Sequence, residues 1–190
     1  MNPVEQIRNE YAALAFHLQE VGEISLLSDV NKNFRKVLIL SAGSFFEHQI
    51  TSVLTDFALS VSKGDRRLAS FLERQAINQK YHQLFSWGEK DNPTKPVKNA
   101  NTFWKLFGDD FKSAIEQELR IEKTTPQRER EERESITAAI EAFVELGHLR
   151  NILVHSNFAD YNYDHKTTDE IFELFQRALP FVDFVKEKLS

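Results

Sequence analysis

The 190-residue sequence predicts an all-α fold, a bundle of five or six helices with mostly short connections. Three observations carry that expectation. Apolar residues recur at spacings of three and four along nearly every segment, the period of a helix with a buried face. Several of those segments open on helix-start residues. No run alternates apolar and polar residues as a half-buried strand would, and no internal repeat is visible.

Asn2-Pro3 supplies a cap followed by proline at the first helical position. Val4, Ile7, Tyr11, Leu14, Leu18 and Val21 then form a narrow apolar seam that fades by Ser25. A second helix is expected from Asn33 to Ser62. Its apolar residues, among them Phe34, Leu38, Phe46, Ile50 and Leu54, cover more than one face, as suits the central helix of a bundle. A third is expected from Asp65 to Trp87. "GEKDNPTKPVKNAN" breaks all periodicity and reads as a loop. "TFWKLFG" is short and aromatic, and a helix is expected from Asp109 to Ile121. Thr125-Pro126 reads as the start of a late helix whose first turns, "QREREERES", are charged and solvated. The last helix is expected near Thr167, where Glu170 completes a capping-box pattern, with Pro180 as a kink.

The length fits one domain spanning 1–190. Hydrophobic residues at 41% and charged residues at 28% describe a globular chain. Charges interrupt the apolar runs before the length of a membrane span, and "MNPVEQIRNEY" is not a leader, so no membrane partner is expected and the cytoplasm is the expected location. The absence of cysteine excludes disulfides, thiolate zinc sites and cysteine nucleophiles. A net charge of −5 argues against bulk electrostatic grip on nucleic acid, though a local basic site needs only a few cations.

The late helix carries "GHLRNILVHSN". At about 100° per residue, Ile136, Ile140, Gly147 and Val154 fall within about 60° of Phe143, and so does Arg150. A guanidinium on a packed stripe needs a partner or a wet cleft. His155 lies about 140° around the helix from Arg150, while His148, Asn151 and His155 share a polar strip beside the stripe. On the central helix, "SAGSFFEHQI" places Glu47 in line with Leu40, Gly43, Ile50 and Leu54. Two complementary charges on two central helices are expected to meet across the packing. Taken singly, each would be an ordinary snorkelling residue at a stripe edge.

An all-α bundle whose late helix reads "RNILVH" resembles the HEPN superfamily, with its R-x4-6-H pattern and a polar residue after the arginine. The wider sequence resembles the RiboL-PSP-HEPN group in "LILSAGSFFEHQI", "NTFWKLFG" and "LRNILVHSNF". The resemblance implies a metal-independent endoribonuclease that acts as a homodimer, its two motif helices forming one composite cleft. It assigns Arg150 and His155 as catalytic residues, Asn151 as their polar companion and Glu47 as an accessory acid. It gives His148 no role. It also implies RNA as substrate, no cofactor, a toxin or antiviral setting, and an antitoxin or other regulatory protein as a further partner.

The chemistry agrees with that assignment. RNA carries its own nucleophile, so cleavage needs only a base, an acid and cations for the phosphorane charge. No metal site is expected: His148 and His155 stand roughly 10 Å apart along the helix, and there is no H-E-x-x-H. No G-x-S-x-G marks a hydrolase. Lys95, Lys98 and Lys105, and Arg128, Arg130 and Arg133, are candidate RNA contacts but read more simply as solvated charge. The rival reading is a non-catalytic scaffold or partner-binding module. Exposure separates the two: a nuclease opens Arg150 and His155 to a cleft, whereas a scaffold buries them or sets them far apart.

Overall fold

The protein is described by a computed structural model that covers residues 2–77, 80–124, 135–156, 158 and 165–190. Among these residues it is all-α, with eight helices and no strand. Five are long and three are short, so the expected five or six corresponds to the long ones. They are α1 (Pro3–Glu20), α2 (Ile24–Val61), α3 (Arg66–Leu72), α4 (Tyr81–Leu84), α5 (Asn101–Lys105), α6 (Asp109–Thr124), α7 (Ile136–His155) and α8 (Thr168–Leu189).

The capping box expected at Thr167 forms, and the cap expected at Asn2 is also a capping box. Asn2 accepts from the Glu5 amide at 2.9 Å while Glu5 accepts from the Asn2 amide at 2.8 Å, and Thr167 and Glu170 do the same ahead of α8. α8 continues through Pro180. Three boundaries differ from expectation. α2 starts at Ile24, nine residues before Asn33, directly after a turn in which Gly22 takes φ 76°. Ile24 and Leu26 in its first turns are exposed, so the apolar residues there do not mark a buried face. The segment expected as one helix over Asp65–Trp87 divides into α3, a π turn over Glu73–Ile77 and the single turn of α4. Phe85 then goes extended, and this carries Phe85 and Trp87 into the core. The helix bearing Arg150 starts at Ile136: Ser135 is extended and accepts from the Ala138 amide. Thr125-Pro126, Arg128, Arg130 and Arg133 lie outside the described residues.

The core is a three-helix contact of α2, α7 and α8 filled with aromatic rings. Phe143 of α7 stands 5.4 Å from Phe46 of α2, 4.5 Å from Phe181 of α8 and 4.9 Å from Phe85. α2 also packs on α1, α3 and the π turn, which makes it the central helix. By length and composition it is apolar enough to cross a membrane, a property that core helices share.

Candidate active site

The site is built where the carboxyl-terminal half of α7 crosses the middle of α2. The amino-terminal half of α7 is held firmly. The Glu122 carboxylate of α6 accepts from the Ile136 amide at 2.6 Å, the Thr137 amide at 3.0 Å and the Thr137 hydroxyl at 2.7 Å. Burial pushes the Glu122 pKa up, but these hydrogen bonds, with one from the Ser135 hydroxyl, outweigh it and hold the carboxyl below its usual range. An anion at this position also matches the positive end of the helix. Further along, Trp87 lies against the helix at Gly147. A Cβ there would sit 1.9 Å from the indole Cζ3, so only glycine admits the ring. The indole Nε1 donates to the His82 carbonyl at 3.0 Å.

Arg150 comes one turn after Gly147. Its Nη2 donates to Glu47 Oε2 at 3.0 Å, so the two charges on apolar lines meet as expected. The side chains remain 25% and 36% exposed, which makes this a half-open pair worth about 1 kcal/mol or less in isolation. Gly43, one turn before Glu47, explains how the arginine reaches it. A Cβ at Gly43 would lie 2.7 Å from Arg150 Cγ, so the aliphatic stem crosses α2 through the space that the missing side chain leaves. Gly43 lies on the line of Glu47, but spacing along the chain does not reveal this purpose.

Tyr81, an apolar position of the expected third helix, shows no sign of a site role in the sequence. It is buried, and its ring centre lies 6.1 Å from that of Trp87. Burial raises its pKa well above the ordinary phenol range. The Glu47 carboxylate adds to the rise and the Arg150 guanidinium opposes it, so the phenol stays neutral beside the pair. Nothing around Tyr81 in the sequence marks it, because its neighbours are set by the break between the π turn and α4.

His148 receives an explanation that removes it from chemistry. It is 4% exposed, and its Nε2 lies 3.0 Å from the Thr94 carbonyl. A carbonyl only accepts, so Nε2 donates, and the imidazole ties the 88–100 loop to α7. Asn151 is half-buried and His155 is exposed as the last residue of α7; neither side chain makes a hydrogen bond or ion pair among the described residues. Val154, expected on the packed stripe, is 51% exposed, because α7 runs past the core in its last turn. Arg150 and His155 are therefore not joined within one subunit, but both reach solvent. Lys95, Lys98 and Lys105 are exposed. Among the described residues, no three His, Asp or Glu side chains converge as metal ligands.

An all-α bundle with R-x4-H at the solvent end of a core helix has the architecture of a HEPN domain. The sequence matches the RiboL-PSP-HEPN family over residues 5–190, and the chain belongs to that family within the HEPN superfamily. Comparison with curated proteins and with solved structures gave no match. HEPN domains are generally of ribonuclease type, and the family points in general to RNA as substrate and to dimerisation.

Proposed function

We propose that the protein is a metal-independent endoribonuclease that works as a homodimer in a toxin or antiviral setting. The observation that carries this reading is the state of the two motif residues. Arg150 is held by Glu47 with a quarter of its side chain still open, and His155 stands exposed at the end of the same helix, its side chain without a partner among the described residues.

The two residues diverge by about 140° around α7, so one copy presents them poorly to a single phosphate. Two copies of α7 about a two-fold axis bring two arginines and two histidines to one cleft. One imidazole removes the proton of the 2′-hydroxyl, and the 2′-oxygen attacks phosphorus. The P–O5′ bond breaks, and the other imidazole protonates the departing 5′-oxygen. The guanidinium forks stabilise the phosphorane charge, and Asn151 lies beside them as a further donor. The products are a 2′,3′-cyclic phosphate and a 5′-hydroxyl.

The test is purified protein with mixed RNA in EDTA, set beside Arg150→Ala and His155→Ala. Wild type should cleave RNA but not DNA and leave cyclic phosphate ends, and each variant should lose cleavage while remaining a folded dimer. Cleavage that persists in His155→Ala, or that requires magnesium, overturns the mechanism. A strictly monomeric protein at micromolar concentration by light scattering overturns the composite cleft. Inactivity on varied RNA favours the scaffold.

A further inference from the structure

One charged side chain is buried more deeply than any other in the described protein. Lys36 of α2 is 1% exposed. Its ammonium donates to the Phe158 carbonyl at 2.7 Å and lies 4.9 Å from the centre of the Phe158 ring. A buried ammonium is costly, and among the described residues no carboxylate faces it. Among the described residues, a carbonyl oxygen and an aromatic face compensate it.

What it holds is the chain immediately beyond the motif. Phe158 comes three residues after His155, in the connection that leaves α7. Lys36 precedes Gly43 by seven residues and Glu47 by eleven, so the three share one line of α2. That line receives the stem of Arg150 at Gly43, its guanidinium at Glu47 and the exit of the motif helix at Lys36. The far end of the connection is also tied, by Lys166 to Glu145 of α7 at 2.9 Å. Arg150 has a side-chain partner that fixes it, whereas the His155 side chain has none among the described residues, so the path of the main chain sets where its imidazole stands.

We infer that Lys36 is a positioning residue that sets the place of the His155 imidazole by anchoring the Phe158 carbonyl, an inference that rests on the ribonuclease reading above. The ammonium never meets substrate. Its loss leaves Arg150 and the RNA-binding surface intact and lets the histidine drift from the line of proton transfer. Rate therefore suffers and affinity does not.

Two variants test this. Lys36→Met keeps the length and removes the charge. Phe158→Ala removes the ring face at a position already 42% exposed, where the fold tolerates truncation. Lys36→Met should lower kcat by about 10- to 100-fold with KM within about threefold, as expected when a reacting group is misplaced by about 1 Å. Phe158→Ala should lower kcat in the same sense by a smaller factor. In both, amide hydrogen exchange should quicken at residues 153–158 while α2 and α8 keep their protection. Lys36→Arg, which retains a donor, should recover part of the rate. A raised KM with unchanged kcat, or wild-type exchange at 153–158 in a folded variant, overturns the inference. If Lys36→Met does not fold, unchanged kcat and exchange in Phe158→Ala overturn it. If wild type cleaves no RNA, the ribonuclease reading fails by itself and the exchange measurement still decides whether Lys36 anchors the helix exit.

Discussion

The two halves of α7 are built on opposite terms. From Ile136 to Gly147 every inward position is apolar or small, the first turn is bound by Glu122, and Phe143 sits among rings from α2, α8 and the extended segment at Phe85. From His148 to His155 the helix leaves the core. Leu153 is buried there and Leu149 packs against the core, but Val154 and His155 face solvent, and two polar contacts tie this half to its neighbours: His148 to Thr94, Arg150 to Glu47. One continuous helix thus joins a rigid apolar half to a lightly attached polar half. The rigid half supplies the fixed direction that a reactive group needs, and the other half keeps its side chains available. Substitutions should therefore affect stability in the first half and activity in the second.

The largest expected effect comes from Phe143→Ala. The side chain is 1% exposed, and its removal should cost about 3–5 kcal/mol by urea unfolding. A cost below about 1 kcal/mol would break the comparison at its rigid end.

Gly43→Ala sharpens it at the other end. The new Cβ would lie 2.7 Å from Arg150 Cγ and 3.2 Å from Arg150 Cβ, atoms at the base of that side chain, so the packing of α7 on α2 must give, and this offsets the gain of about 1 kcal/mol that alanine has over glycine within a helix. Unfolding free energy should change little, while RNA cleavage falls on the order of 10- to 100-fold. Equal losses of stability and activity would show that Gly43 serves packing instead of the arginine.

The smallest effect belongs to Glu122→Gln. The folded carboxyl titrates below its usual range, so its stabilisation is complete above the unfolded value of about 4.3 and disappears as pH falls through the lower folded value. At neutral pH the variant should melt roughly 1–3 °C lower than wild type. That gap should hold at pH above the ordinary glutamate range and close as the pH falls through the lower folded value. A gap that widens in acid would contradict the hydrogen-bonded anion at the start of α7.

The comparison also explains what could be read from the sequence. Helices that begin on side-chain caps, α1 at Asn2 and α8 at Thr167, were legible because the cap is local. α2 was read nine residues short because Glu23, at its start, makes no side-chain cap bond. The break between α3 and α4 was hidden because the periodicity of 65–84 is helical, and it is tertiary demand for Phe85 and Trp87 that ends the helix. At the site, Arg150 and Glu47 stood out as charges on apolar lines. Lys36 carried the same signal, seven residues before Gly43 on that line, and was passed over. Tyr81 and the loop contact of His148 depend on pairings across elements that no spacing along the chain expresses.

The close approach at Gly43 also sets a rule for divergence. Gly43, Glu47 and Arg150 form a lock-step trio: the glycine exists for the stem of the arginine, and the acid for its head. A related chain that has lost the arginine has no use for the gap, and alanine there would strengthen the helix at once. Bare glycine at that position is thus a fossil marker. Its retention should track catalytic competence more closely than retention of the acid, which a helix surface accommodates whether or not it has a partner.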